Sequence, residues 1–369
     1  MEATLQYEKQ TINWNQIYSL VALNGAVVIS WIAYHNYQPK VLEIFKFQEL
    51  AFFLVVAQAV ILVCIPPVAG IIGDFVIKSN GNRFIVFTVG TSVTAMVFMA
   101  VAFTVGTSST INFTAALPFM IVIWLISMNI FHSPANSMLE LFAPAKELPQ
   151  AMALMTMTTE LIYALEPIVV WFVDSIGAVL TFVTGGVLLI VTGYFFRKTT
   201  TNLELSREYE ETKSTVKNNF PLVLTVGIAL GLATAIIMKA FPSLLSVKLA
   251  AYDQQMWGGA HFISIILAVS ALCAWPASQW INKIGVSNSL IYGTISTFAF
   301  MGLVYVMPND ILTMIACLGV AASYSVMNVA AFPFALYNLS PKMVTFGAGI
   351  FFGSLELASG LMEIFQGMK

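Results

Sequence analysis

Charge is what this chain has least of. Only 9% of its 369 residues are charged, 59% are hydrophobic, and the mean hydropathy is +0.85. A soluble core of this size cannot hide so much apolar surface, so the chain belongs in lipid as an integral, multi-pass membrane protein. The few charges nearly balance at net -2, with no basic stripe interleaved with aromatics, which argues against nucleic acid as a partner. Cysteine is scarce too. Cys64, Cys273 and Cys317 all fall inside apolar runs without ligand-like spacing, so neither a disulfide framework nor a zinc site is expected, and they read as packing residues. No two aspartates lie close together, which removes the magnesium-diphosphate site that an intramembrane prenyl transferase needs. No metal, no cofactor and no enzymatic role is expected. The polar leader 1–13 lacks a basic start, a short apolar core and a cleavage site, so the first apolar run should be kept as a membrane span.

Long apolar runs are what the chain has in quantity. A bilayer core of about 30 Å needs roughly 20 mainly apolar residues per helix, which gives about eleven spans. They cover 16–34, 50–72, 84–106, 116–131, 151–172 and 178–196, then 220–244, 257–281, 287–306, 311–332 and 345–365. Between the two sets lies the one long hydrophilic stretch, 197–219, with Arg207-Glu208-Tyr209-Glu210-Glu211 at its centre. This divides the chain into a six-helix half (1–196), a cytoplasmic linker (197–219) and a second half of about five helices (220–369). Lysine and arginine orient it: with the N-terminus in the cytoplasm, Lys9, Lys78, Arg83, Lys146, Arg197, Lys198, Arg207, Lys213, Lys217, Lys283 and Lys342 are inside. Only Lys40, Lys46, Lys248 and Lys369 are then outside, in the cell or inner membrane.

The halves echo each other. Asn129-Ile130-Phe131-His132-Ser133-Pro134 ends the fourth span and Asn328-Val329-Ala330-Ala331-Phe332-Pro333 ends the tenth. Each is followed by a further proline, Pro144 and Pro341, and then by a span carrying glutamates: Glu160 and Glu166 in one half, Glu356 and Glu363 in the other. The most pointed stretch is the polar hinge Gly70-Ile71-Ile72-Gly73-Asp74-Phe75-Val76-Ile77-Lys78-Ser79-Asn80-Gly81-Asn82-Arg83 between the second and third spans. Small residues at Gly70 and Gly73 let the two joined spans approach, and Asp74 can sit at the N-terminal end of the following helix with Lys78 and Arg83 in reach. A weaker copy recurs at Ser278-Gln279-Trp280-Ile281-Asn282-Lys283-Ile284-Gly285, without the acid.

The hinge resembles the signature loop of the major facilitator superfamily: glycine, three residues, aspartate, then a glycine and basic residues. The resemblance implies an all-α membrane bundle of two pseudo-symmetric halves around a central cavity lined by the first, fourth, seventh and tenth spans. It also implies alternating access, with Gly70, Asp74 and Arg83 as gating residues. The family has twelve spans, so the twelfth is expected to be absent or truncated here. Pro134-Ala135-Asn136-Ser137-Met138-Leu139-Glu140 and Pro333-Phe334-Ala335-Leu336 resemble, more weakly, the matching ends in sucrose-type carriers of the glycoside and cation symporter group, though Asn136 stands where those carriers have arginine. Sodium-coupled relatives carry paired aspartates in the second span, and this chain has none there, which favours protons as the coupling ion.

Ionisable groups deep in a span are costly, about 2.5 to 3.5 kcal/mol at the centre, and so ask for a reason. Glu160 lies roughly 15 Å into its helix and Glu356 at a similar depth, both near the midplane. Burial disfavours the charged form of a carboxyl, so both suit proton exchange; both also suit a neutral, hydrogen-bonded packing role. Lys239, roughly 28 Å along its helix, is expected near the outer surface, its stem snorkelling. His132 and His261 can be packing residues or relays. Asn24, Trp31 and Tyr34 on the first span, Trp124 and Asn129 on the fourth, and Tyr324 and Asn328 on the tenth offer amides and ring faces of the kind that hold hydroxyl-rich solutes. The expected function is a secondary active transporter of a small polar solute, with sugars or glycosides favoured and protons and membrane lipid as its other partners. Export of drugs or organic acids is the alternative within the class. A sensor or assembly partner derived from a transporter is the alternative outside it.

Overall fold

The structure, a computed structural model, describes residues 12–80, 84–107, 116–200, 217–252 and 259–367. Among them no strand occurs. The long helices are α1 (Trp14–Ile44), α2 (Ala51–Asn80), α3 (Phe84–Gly106), α4 (Leu117–Ser137), α5 (Leu148–Ala164) and α6 (Glu166–Thr200), then α7 (Phe220–Ala235), α8 (Ala260–Ile284), α9 (Val286–Val306), α10 (Asp310–Tyr337) and α11 (Val344–Gly367). Helix is the form that satisfies every backbone polar group within one segment, as lipid requires. Ten helical segments of the described residues are long and apolar enough to cross a bilayer.

As bounded, α7 falls short of a span at 16 residues, and so does α5 at 17. The helix of α5 runs on, because the Leu165 N–H still reaches the Leu161 carbonyl and the Val169 N–H the Leu165 carbonyl. The true turn comes later, at Gly177 with φ +80°, a conformation open to glycine. The fifth and sixth apolar runs thus lie on either side of Gly177, as their boundaries 151–172 and 178–196 anticipate. α7 is extended in a different way, through a π-turn over Ile236–Ala240 into a short helix, Phe241–Lys248.

Several expected boundaries shift. The hinge is no loop: α2 continues through Asp74 to Asn80, which leaves Gly81–Arg83 outside the described residues. α4 and α10 run past Pro134 and Pro333 to Ser137 and Tyr337, since neighbouring helices and side chains can satisfy what a proline frees. α6 reaches Thr200, with Arg197 and Lys198 in its last turn where positive charge suits the helix dipole. The rest of the hydrophilic stretch, 201–216, lies outside the described residues, as does Trp257.

Packing follows a repeating scheme. α4 packs on α2 and α3, and α10 on α8 and α9; α1 meets α5 as α7 meets α11. α6 lies against α1 and α3. Four pairs join the first six helices to the last five: α11 packs on α2 and α4, and α5 on α8 and α10, with α2–α11 and α5–α8 the most extensive. The α2–α11 seam is backbone against backbone. A Cβ on Gly70 would sit 2.4 Å from the Thr345 carbonyl oxygen, and one on Gly349 would sit 2.2 Å from that of Pro66. Gly70 and Gly73 therefore serve the approach of α2 to α11, rather than to α3 as the hinge alone implied.

Candidate functional site

Polar side chains gather at three levels of the seam between the two helix sets. At the hinge end, Asp74 reaches across it. Its Oδ1 and Oδ2 accept the backbone N–H groups of Thr345 and Phe346 at 3.2 and 2.8 Å. These belong to the first turn of α11, where N–H groups have no helical partner and the dipole favours an anion. The helix Asp74 caps is thus α11, not α3. Ser133 of α4 adds a bond to the Thr345 carbonyl at 3.0 Å, and Tyr337 of α10 donates to the Ala145 carbonyl. The echo at Ser278–Asn282 makes no such cap: Ser278 is buried and bonds its own helix at Trp275, while Asn282 is exposed. Arg83, the third gating candidate, lies outside the described residues.

The middle level holds Glu160, only 3% exposed. Asn328 of α10 donates to its Oε1 at 2.8 Å, while Oε2 has no partner. On the facing α8 the fully buried Ser270 hydroxyl lies within reach of the Glu160 carboxyl, short of a well-formed hydrogen bond. One turn from Asn328, Tyr324 shares a 2.8 Å hydrogen bond with Thr234 of α7. Glu356 of α11 is half-buried and makes no hydrogen bond among the described residues. One turn towards the hinge on the same face, Phe352 packs on His132 of α4, ring centroids 4.7 Å apart, and on Phe332 of α10 at 5.0 Å. His132 is therefore a packing residue in this arrangement.

The far level was not foreseen. Lys239, expected to snorkel outwards, instead forms a 2.5 Å ion pair with Glu363 of α11, both side chains 21% exposed. The π-turn of α7 carries the lysine, and pairing removes the need to send a lone charge to the surface. Glu363 Oε2 also accepts Gln58 Nε2 of α2 at 3.2 Å, and Gln58 Oε1 accepts the Tyr34 hydroxyl of α1 at 3.1 Å. Four helices are tied by three bonds. Tyr34 stacks on Trp124 at 4.5 Å, and Trp31 meets both rings edge-on at 5.6 and 5.1 Å. The Trp124 indole N–H is buried without a partner.

The seven residues expected to meet solute thus divide. Trp31, Tyr34 and Trp124 form one aromatic cluster, and Tyr324 and Asn328 sit with Glu160. Asn24 pairs instead with Asn136 at 2.9 Å, holding α1 to α4, and the Asn129 amide donates to its own helix at Leu125, 2.8 Å away. Lys239, Glu363 and Gln58 are the ones sequence reasoning missed. A signal was present, since a lone lysine and a lone glutamate in apolar runs are natural partners.

The profile of the Major Facilitator Superfamily matches residues 17–362. The chain belongs to that superfamily. It is a membrane transporter by family, rather than an enzyme. A crystal structure of a Major Facilitator Superfamily transporter, FucP, in the outward conformation matches with a TM-score of 0.69 at 10% identity, covering 95% of this chain and 91% of that one. A structure of the nucleoside transporter NupG matches with a TM-score of 0.51 at 12% identity, covering 95% and 90%. At these identities the likeness is one of fold. No curated protein matches the sequence.

Proposed function

We propose that this superfamily member moves a small polar solute by alternating access and couples that movement to protons through Glu160 and Glu356. The observation that carries the reading is Glu160: a carboxylate 3% exposed, at the seam of α5, α8 and α10, with one oxygen hydrogen-bonded and the other unpartnered. A bare charge there cannot cross the low-dielectric barrier cheaply, so the group must be neutralised before the halves reorient. The division into residues 1–196 and 220–369, with the N-terminus in the cytoplasm, places the Asp74 contact inside. Closure at that end supports an outward-facing state, the state in which FucP is described. Sugars and glycosides stand first among solutes because the Trp31, Tyr34 and Trp124 rings suit the apolar face of a sugar.

Purified protein in sealed vesicles provides the test. Labelled solutes should accumulate under an imposed pH gradient, and Glu160→Gln and Glu356→Gln should abolish accumulation while sparing solute exchange. Glutamine keeps the shape and cannot titrate. Intact pH-driven accumulation in both variants and in their combination would make these glutamates packing residues. No movement of any solute would favour a sensor or assembly role.

A further inference from the structure

The flank of the last five helices opens into a cavity of about 700 Å³ between α7, α9 and α11, at the far level. Its place follows from the packing. In the first set α6 packs extensively on both α1 and α3, whereas among the described residues no counterpart of α6 covers α7 and α9. A Cβ on Gly302 of α9, in the cavity wall, would meet nothing within 4 Å. Leu244, Phe298, Met301 and Met362 typify a wall that is almost wholly apolar, and Lys239 is its only charged residue. Pockets for small molecules are built this way, at about 300–1,000 Å³ with few polar groups. The π-turn Ile236–Ala240 carries the lysine to that wall, and such turns recur at functional sites. Its ammonium has three N–H groups and makes one hydrogen bond among the described residues, to Glu363 Oε1. Glu363 is not part of the wall, and its other oxygen accepts Gln58 of α2. The cavity thus meets the positive member of the pair, with donors to spare.

We propose that this flank cavity binds an apolar monocarboxylate, its carboxylate on Lys239 and its hydrocarbon or aryl body against Phe298, Met301 and Met362. A carboxylate gains charge-assisted hydrogen bonds in a medium that screens poorly. An alcohol of the same shape gains only an ordinary hydrogen bond, and an ammonium meets a like charge. The body adds its own burial against the apolar wall. A free acid fits better than a lipid headgroup, because Lys239 lies roughly 13 Å of helix below Lys248. Lys248 marks the end of the spans there, donating to the carbonyls of Val304, Tyr305 and Met307 around the last turn of α9. The cavity is apart from the Glu160 level and from the aromatic cluster, so the inference holds whichever solute the carrier moves.

Calorimetry on the purified full chain in phosphatidylcholine nanodiscs tests it. The probes 4-phenylbutyrate, 4-phenylbutanol and 4-phenylbutylamine share one body and differ in the head, and acetate has the head without the body. The phenyl acid should bind at least about ten-fold more tightly than each of the other three. Gly302→Phe fills the cavity from an open position on α9, so it should weaken the acid at least about ten-fold without lowering the unliganded melting temperature. Lys239→Met combined with Glu363→Met removes the pair without stranding a charge, and should leave acid and alcohol binding equally. Equal binding of all probes, or binding of none, overturns the proposal. So does acetate binding as tightly as the phenyl acid, which would mean a plain anion site. Acid binding unchanged in Gly302→Phe overturns the location, and a preference for the acid that survives the double variant overturns the role of Lys239. Loss of acid binding when phosphatidate replaces part of the disc lipid would give the cavity to a lipid headgroup, and overturns the proposal too.

Discussion

Asn328 and Glu160 show how one residue can constrain another across the seam. The 2.8 Å bond from α10 satisfies one oxygen of a buried carboxyl, so Asn328→Leu should leave that oxygen without its donor. The expected loss is about 1–3 kcal/mol of stability, seen as a lower melting temperature, and it should shrink when Glu160→Leu is added, because both polar partners are then gone. Additive losses would mean the bond carries no weight. Lys239 and Glu363 make the same kind of pair in a wetter place. Lys239→Met should destabilise by up to about 3 kcal/mol through the charge it strands, and Lys239→Met with Glu363→Met should recover most of it. A double variant no more stable than the single one contradicts the pairing. At this scale the sequence was half legible. Depth along the helix marked Glu160 and Glu356, because rise per residue is uniform. It misplaced Lys239, because which way a side chain points at the end of a π-turn depends on the facing helix.

Elements were more legible than contacts. Apolar runs of bilayer length located the spans, and the helix-breaking conformation of Gly177 falls in the gap left between the fifth and sixth runs. The hinge was legible as a polar motif with a carboxylate, and illegible in its partner. Asp74 bonds Thr345 and Phe346, which are 271 and 272 positions along the chain, beyond any local pattern. The prolines misled in the other direction: read as helix ends, they sit inside α4 and α10, where packing tolerates them. Two predictions belong to α2 and α11. Asp74→Asn keeps the shape and loses the charge at the helix terminus, worth about 1–2 kcal/mol, so the ratio of closed to open at that end should fall by about five- to thirty-fold. Accessibility of single cysteines on the two sides would record it, and unchanged labelling would make Asp74 an ordinary cap. Gly70→Val should be worse for the seam, because a Cβ there meets the Thr345 carbonyl at 2.4 Å and backbone must move. Reduced melting temperature and a bias away from hinge-end closure are expected together.

For the whole molecule, the recurring pairings of α1–α5 and α7–α11, and of α3–α4 and α9–α10, are what a carrier of two rocking halves needs. The α2–α11 and α5–α8 pairs are the surfaces on which such halves would rock, and under the proposed alternating access the polar levels along them would be made in one state and broken in the other. Distances between the halves are therefore the most direct measurement. Spin labels at the exposed positions Ser79 and Lys342 report the hinge end, and labels at the exposed Glu43 and Val306 report the far end. Alternating access predicts reciprocal changes: in Asp74→Asn the hinge-end distance should lengthen as the far-end distance shortens. Distances that stay fixed at both ends, or that lengthen together, would contradict it.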